Sequence, residues 1–226
     1  MVTTKDETWL DAGQLLCIDA GLSDEDRQDV LLCSLYFQLA ASKKIDKLEH
    51  AARWFEVYQG CLQNLGWQTV RSGQFAKAFP PGLAFTWQDI LRGVVREGLP
   101  FDLKGVAQVF EPGQGLDDPA RSRMAAHSIG VQGKGTKARH QVALLLASGH
   151  SGARMNLLLV HFQTRQVLTG DITQARFDSA ALQGEVTAAW LSVRPDPFIF
   201  PEFREDMFDR LKGRADHHLL RIQDGN

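Results

Sequence analysis

Apolar positions first fall into step at helical spacing around residue 30. Val30, Leu31, Leu35 and Leu39 recur at that interval, and Leu32, Tyr36 and Phe37 widen the stripe, which predicts a nearly central helix over 24–42. Ser23 with Asp26 three residues on supplies a capping-box variant at its start. A second helix is predicted from the Asp46/Glu49 capping pair to a stop at Gly66, with Leu48, Ala52, Phe55, Tyr58, Leu62 and Leu65 on one stripe. Trp54 and Cys61 flank that stripe, and an aromatic-rich face of this kind is read as packing. Residues 67–72 predict a short strand. Thr86 and Asp89 cap a third helix that ends before Gly98 and buries Trp87, Ile90, Leu91 and Val94. A short helix over 102–110 follows, then a linker-like stretch at 112–118. Asp118 with Pro119 predicts the start of one more helix, ending near Ser128.

Beyond residue 137 the pattern changes. Residues 139–148 and 154–163 are apolar runs of strand length separated by Gly149, His150, Ser151 and Gly152, a hairpin signal. Residues 166–172 are expected to continue the meander, and 184–193 form another strand with Val186, Ala188 and Trp190 on one face. A helix from Pro201 to Leu211, stopped by Gly213, and a short strand at 218–222 close the pattern. The predicted class is α+β: N-terminal helices packed with a C-terminal antiparallel sheet and a terminal helix. Residues 1–113 form a mainly helical region and 114–226 a β-rich region, expected to make one compact unit.

Three blocks carry a family likeness: Tyr36–Trp67, matching a tryptophan- and tyrosine-bearing helix that in the family ends Leu-x-x-Gly-Trp; His140–Gln163, the paired strands; and Pro201–Ile222, a helix followed by an end strand. Together they resemble a little-characterised bacterial family, some of whose members lie in gene neighbourhoods of α-helical pore-forming or insecticidal toxins. The resemblance implies an accessory or toxin-associated role and carries over no catalytic residue. The sequence departs from the family in its arginines and in the glycine-rich stretch from Gly130 to Gly135.

Composition narrows the class further. The 226 residues carry 25 Lys+Arg against 27 Asp+Glu, a net charge of -2, which argues against general attraction to nucleic acid. Helix-turn-helix and aromatic RNA-binding signatures are also missing, which makes a nucleic-acid partner the least supported. The longest apolar run, Val142–Ala147, is far short of a membrane-spanning helix. The first residues lack the apolar segment of a secretory signal, and the expected location is cytoplasmic, with signal-independent export left open. Cys17, Cys33 and Cys61 have neither zinc-site spacing nor an even count, and are expected to be buried thiols.

Charge distribution says more than its sum. Residues 119–170 hold Arg121, Arg123, Lys134, Lys137, Arg139, Arg154 and Arg165 and no acid. These seven cations are the candidate binding residues, for a protein partner with an acidic surface; solubilising edge charges are the plainer alternative. His140, His150 and His161 are the candidate metal ligands, because antiparallel pairing could bring strand-end histidines together. The segment Gly130–Thr136 lacks the glycine spacing of a phosphate loop and reads as a connector. Ser148 and His150 are near neighbours, but the surrounding glycines serve a hairpin turn equally well, and the nucleophile-elbow pattern is missing. No cofactor is implied. The leading expectation is a non-enzymatic accessory or binding protein associated with a bacterial toxin or virulence system; the alternative is a metal-dependent or small-molecule-binding enzyme using the hairpin histidines.

Overall fold

The computed structural model describes residues 6–101, 104–114, 116–133 and 138–222. The chain opens with strands β1 (Glu7–Asp11) and β2 (Gln14–Ile18), then helices α1 (Asp24–Ser42) and α2 (Ala51–Asn64). Strands β3 (Trp67–Lys77) and β4 (Ala84–Thr86) precede helices α3 (Trp87–Arg96), α4 (Lys104–Ala107) and α5 (Asp118–Ser128). Strands β5 (Ile129–Gln132), β6 (Arg139–His150), β7 (Arg154–Thr164), β8 (Arg176–Asp178) and β9 (Val186–Pro195) follow. Helices α6 (Phe200–Leu211) and α7 (Ala215–His218) and strand β10 (Leu219–Ile222) end the described chain.

The class is α+β. One large sheet runs β10-β1-β2-β6-β7-β9-β3, with β5 also on β6, and β4 and β8 form a separate two-stranded ribbon. All its pairings are antiparallel except β2 with β6. The sheet therefore draws β1, β2 and β3 from the first half of the sequence and β6, β7 and β9 from the second.

Both faces of this sheet are covered. Leu144, Leu146, Leu158 and Val160 point toward α3, α4 and α5, where Trp87, Ile90, Val106 and Met124 are buried. The alternate residues Leu145, Leu157 and Leu159 meet Phe37, Trp54, Tyr58 and Met207 of α1, α2 and α6. Burial on both sides explains why β6 and β7 read as unbroken apolar runs and not as alternating ones. Each fully buried large apolar side chain contributes about 1.5–3 kcal/mol, which makes the α2 stripe a principal fastener of its layer.

The helix starts follow their sequence signals closely. Ser23 accepts from the Asp26 amide at 3.1 Å, and Thr86 with Asp89 completes a reciprocal capping box on α3. Gly66, at φ 77°, ends α2 in the left-handed region, and a Cβ there would stand 2.7 Å from the Phe200 amide nitrogen.

Several expectations are corrected. The Asp46 carboxylate takes the Leu48 and Glu49 amides, but it closes a turn, and α2 begins only at Ala51. Asp117, not Asp118, caps α5. β3 extends to Lys77 because pairing with β9 overrides its polar sequence. Residues 166–172 are no strand: Gln166 turns toward β8, bonding the Arg176 carbonyl and the Asp178 amide. The β1–β2 hairpin had no expectation at all. Its turn is Ala12-Gly13, with both residues at positive φ.

Candidate functional site

The five candidate cations among the described residues do not form one face. Arg139 and Arg165 are exposed at one end of the β6–β7 pair, next to the His140–Thr164 pairing. Arg154 lies opposite His150 at the other end, about 36 Å away at roughly 3.3 Å per residue. Arg121 is engaged by Asp118 at 3.0 Å and Asp171 at 3.8 Å. Arg123 is half-buried and helps to lower the pKa of His127 and His218. Lys134 and Lys137 lie outside the described residues, as do Gly135 and Thr136, while Gly130 and Val131 belong to β5.

The register also separates the three histidines. His140 pairs with Thr164 and His161 with Ala143, an odd offset that puts the two rings on opposite faces of the sheet. His140 is buried, whereas His161 is half-buried beside α2, where burial lowers its pKa. His150 stands at the far end of β6. Among the described residues no three His, Cys, Asp or Glu side chains are grouped to hold a metal ion.

At that far end the β6–β7 pair, apolar along its middle, turns polar. One transverse row, read through the strand register, is Thr8, Cys17, Ser148, Asn156 and Ser192, from β1, β2, β6, β7 and β9. Two residues further out, His150 pairs with Arg154, and Asp19 follows directly on the Ile18–Gly149 pair. The Asp19 amide donates to the Gly149 carbonyl at 3.1 Å, which prolongs the parallel pairing by one bond and sets the carboxylate beside the imidazole.

These side chains form a continuous relay. His150 Nδ1 is 2.7 Å from Asp19 Oδ2, and His150 Nε2 is 2.9 Å from Ser148 Oγ. The carboxylate only accepts, so it draws the ring proton to Nδ1 and leaves Nε2 to accept the Ser148 hydroxyl. Asn156 Nδ2 approaches the same hydroxyl oxygen at 3.4 Å. Asp19, Phe101, His150, Arg154, Asn156 and Ser192 line a cleft of about 370 Å³. Ser148, 5% exposed, does not itself line the cleft and reaches it through its contacts with His150 and Asn156, which do.

The glycines of this segment have structural reasons of their own. A Cβ on Gly149 would fall 2.6 Å from Val30 Cγ1 of α1, on the opposite face from Ser148. Gly152, at φ 71°, donates its amide to Asp26 at 3.1 Å, tying the hairpin tip to the start of α1. Cys17, the neighbour of Ser148 across the β2–β6 pairing, is not a second nucleophile. Burial, with the charges of Asp6 and Asp19, pushes its thiol up to about 12. Cys33 and Cys61 are buried free thiols whose pKa burial also raises.

Sequence inspection could notice Ser148 and His150, two positions apart on one strand face. It had no means of supplying Asp19, which is 131 positions from His150 and joins it only through the parallel pairing of β2 and β6.

The chain matches no protein-family model and no curated protein sequence. Among solved structures it is similar to a delta-endotoxin, at 9% identity over 80% of each chain with a TM-score of 0.43. It is also similar to the activated Cyt2Ba monomer of Bacillus thuringiensis subsp. israelensis, at 10% identity over 80% of this chain and 96% of that one, TM-score 0.38. A third similarity is to the Evf virulence factor, at 10% identity over 99% of this chain and 86% of that one, TM-score 0.36. At such identities and TM-scores these likenesses assign no activity. No helix among the described residues is long and apolar enough to cross a membrane.

Proposed function

We propose that the hairpin end of the sheet is an acyl-transfer site, with Ser148 as nucleophile, His150 as general base and Asp19 as the residue that orients the imidazole. The observation that carries it is the relay at 2.7 and 2.9 Å beside a cleft of about 370 Å³. Nucleophile bonded to base, and base bonded to an orienting acid, is the arrangement that activates a serine hydroxyl. The reaction requires His150 and Asn156 to open enough for the acyl carbonyl to reach Ser148 from the cleft; Oγ then attacks it while its proton passes to Nε2. The ester bond to serine forms, and the leaving group departs with that proton. Water then enters, gives a proton to the same nitrogen and bonds to the acyl carbon; the serine ester bond breaks, Nε2 returns the proton to Ser148 Oγ, and the acid leaves. Asn156 is the side-chain amide placed to donate to the developing oxyanion, and Arg154 at the cleft wall favours acyl groups or leaving groups bearing negative charge.

The test is hydrolysis of activated p-nitrophenyl esters by the whole chain and by S148A, H150A and D19N, each checked for folding by circular dichroism. Turnover that S148A and H150A both abolish supports the site; wild-type protein without turnover, or S148A with undiminished turnover, refutes it.

A second proposal, a non-enzymatic accessory protein that docks a partner, is favoured by Phe198, which is 85% exposed on the turn before α6. Asp196 Oδ1 accepts the amides of Phe198 and Ile199 at 2.9 and 3.1 Å, so the aromatic is held outward by a fixed turn. This turn follows β9 at the same end of the sheet as Arg154. Recovery of one saturable partner from the host by wild-type protein, lost in F198D, supports docking; equal recovery by both counts against it.

A further inference from the structure

Three arginines gather beside the relay, on its own face of the sheet. Arg154 of β7 and Arg194 of β9 are the next residues beyond the Met155–Val193 pair, so they oppose each other across the two strands. Each lies two positions from a member of the polar row, Asn156 and Ser192 respectively, and so shares its face. Arg71 of β3 pairs with Ser192, on that face again and diagonal to Arg194. Opposed side chains start about 4.5–5.5 Å apart and diagonal ones about 7–8 Å, close enough for three guanidinium groups to converge on one small anion. All three residues are exposed.

Among the described residues no acid pairs with any of the three. The carboxylates of this end of the sheet are engaged elsewhere: Asp19 by His150, Asp26 by the Gly152 amide, and Asp196 by Gln68 and the Phe198 and Ile199 amides. Arg154 donates Nε–H to the Ser151 carbonyl at 3.2 Å, which leaves its two terminal amino groups to donate outward. Like charges directly opposed across a strand pair destabilise it, and an anion held between them removes that repulsion. Guarding a sheet edge accounts for Arg71, because β3 is an edge strand, but not for Arg154 and Arg194, because β7 and β9 are interior.

We infer that Arg71, Arg154 and Arg194 bind a phosphate monoester carried by the leaving group of the substrate, an inference that rests on the reading of Ser148 as nucleophile. His150 hands its proton to the leaving group, so that arm of the substrate lies at the imidazole, and Arg154 faces His150 across the β6–β7 pair. Strand spacing puts Arg154 about 8 Å and Arg194 about 12 Å from Ser148 between Cα atoms. A compact phosphorylated alcohol, its phosphate a few bonds from the ester oxygen, fits that separation. Three planar guanidinium forks match the oxygens and double charge of a phosphate better than the two oxygens and single charge of a carboxylate. Phe101, the apolar residue of the cleft wall, is left for the acyl arm.

The experiment has a binding arm and a kinetic arm, both on the whole chain at about pH 8, where the phosphate is a dianion. Calorimetric titration should show saturable binding of phenyl phosphate, roughly tenfold or more tighter than benzoate, weakened by added salt and by the double substitution R154Q/R194Q. In the kinetic arm, para-butyryloxyphenyl phosphate should be hydrolysed with kcat/KM roughly tenfold or more above that of para-methoxyphenyl butyrate, an advantage lost in R154Q/R194Q. Equal binding of phenyl phosphate and benzoate, salt-insensitive binding, undiminished binding by the folded double variant, or no saturable binding overturns the inference. Should the double variant not fold, the wild-type ligand and salt series decide alone. Turnover of the neutral ester with no preference for the phosphorylated one overturns this inference and leaves the acyl-transfer site standing. Phenyl phosphate bound by wild type and S148A alike, with turnover of neither ester, refutes the acyl-transfer site and the leaving-group assignment with it.

Discussion

Two polar centres of this sheet solve the problem of polarity in opposite ways. At the hairpin end, Asp19, His150 and Ser148 satisfy one another in sequence, and the outer member, Asp19, keeps a side-chain exposure of 46%. Under α1 and α2, Asp11 is fully buried and neither of its carboxylate oxygens is hydrogen-bonded. Ser34 and Gln38 are near enough to lower its pKa, yet neither reaches the carboxylate in hydrogen-bonding geometry. Desolvation prevails and raises the Asp11 pKa to about 7. Paired groups hold a fixed geometry at little cost, which suits chemistry. Unpaired buried groups cost stability wherever they remain unpaired.

That contrast can be broken at several points. The largest effect is expected at the relay: D19N should lower ester turnover by roughly 10²–10⁴-fold through the wrong imidazole tautomer, measured as kcat/KM, with little change in thermal midpoint. Next, G149A should destabilise by about 1–3 kcal/mol, because its methyl has to displace Val30 of α1; urea denaturation measures it.

The third expected effect concerns pH. The folded Asp11 pKa of about 7 lies above its ordinary value of 3.8, so the folded state holds a proton that the unfolded chain releases. Its stabilising contribution is complete below about pH 4 and is lost as the pH rises to 7, with a slope of at most roughly 1.4 kcal/mol per pH unit. Lys47 acts in the opposite sense above pH 8, where the folded state gives up its proton first. D11N should flatten the fall between pH 4 and 7 in the urea midpoint; a wild-type midpoint that rises across this window contradicts the assignment. The smallest effect is R53Q. Arg53 and Glu56 are 3.8 Å apart with side chains about 70% exposed, and a change within about 0.5 kcal/mol is expected.

Much of the fold was legible because its signals are local. The Ser23 and Thr86 caps, the α2 stripe and the β6–β7 hairpin depend on residues within a few turns of one another. The β1–β2 hairpin was not legible: it is short, and Asp11 and Gln14 interrupt its apolar face with polar groups whose surroundings come from α1 and α2. The transverse polar row was equally hidden, since Cys17, Ser148, Asn156 and Ser192 meet only through the registers of four strands. His150 and Arg154 were both candidates, for metal and for a partner respectively. They meet instead as opposite members of one strand pair beside a cleft.

The most direct measurement is intact-mass analysis of the protein after exposure to a fluorophosphonate, followed by peptide mapping. The expected result is one adduct, on Ser148, lost in S148A and slowed in H150A. A protein that remains unmodified, or is labelled equally well without His150, contradicts an activated serine at the hairpin end of the sheet.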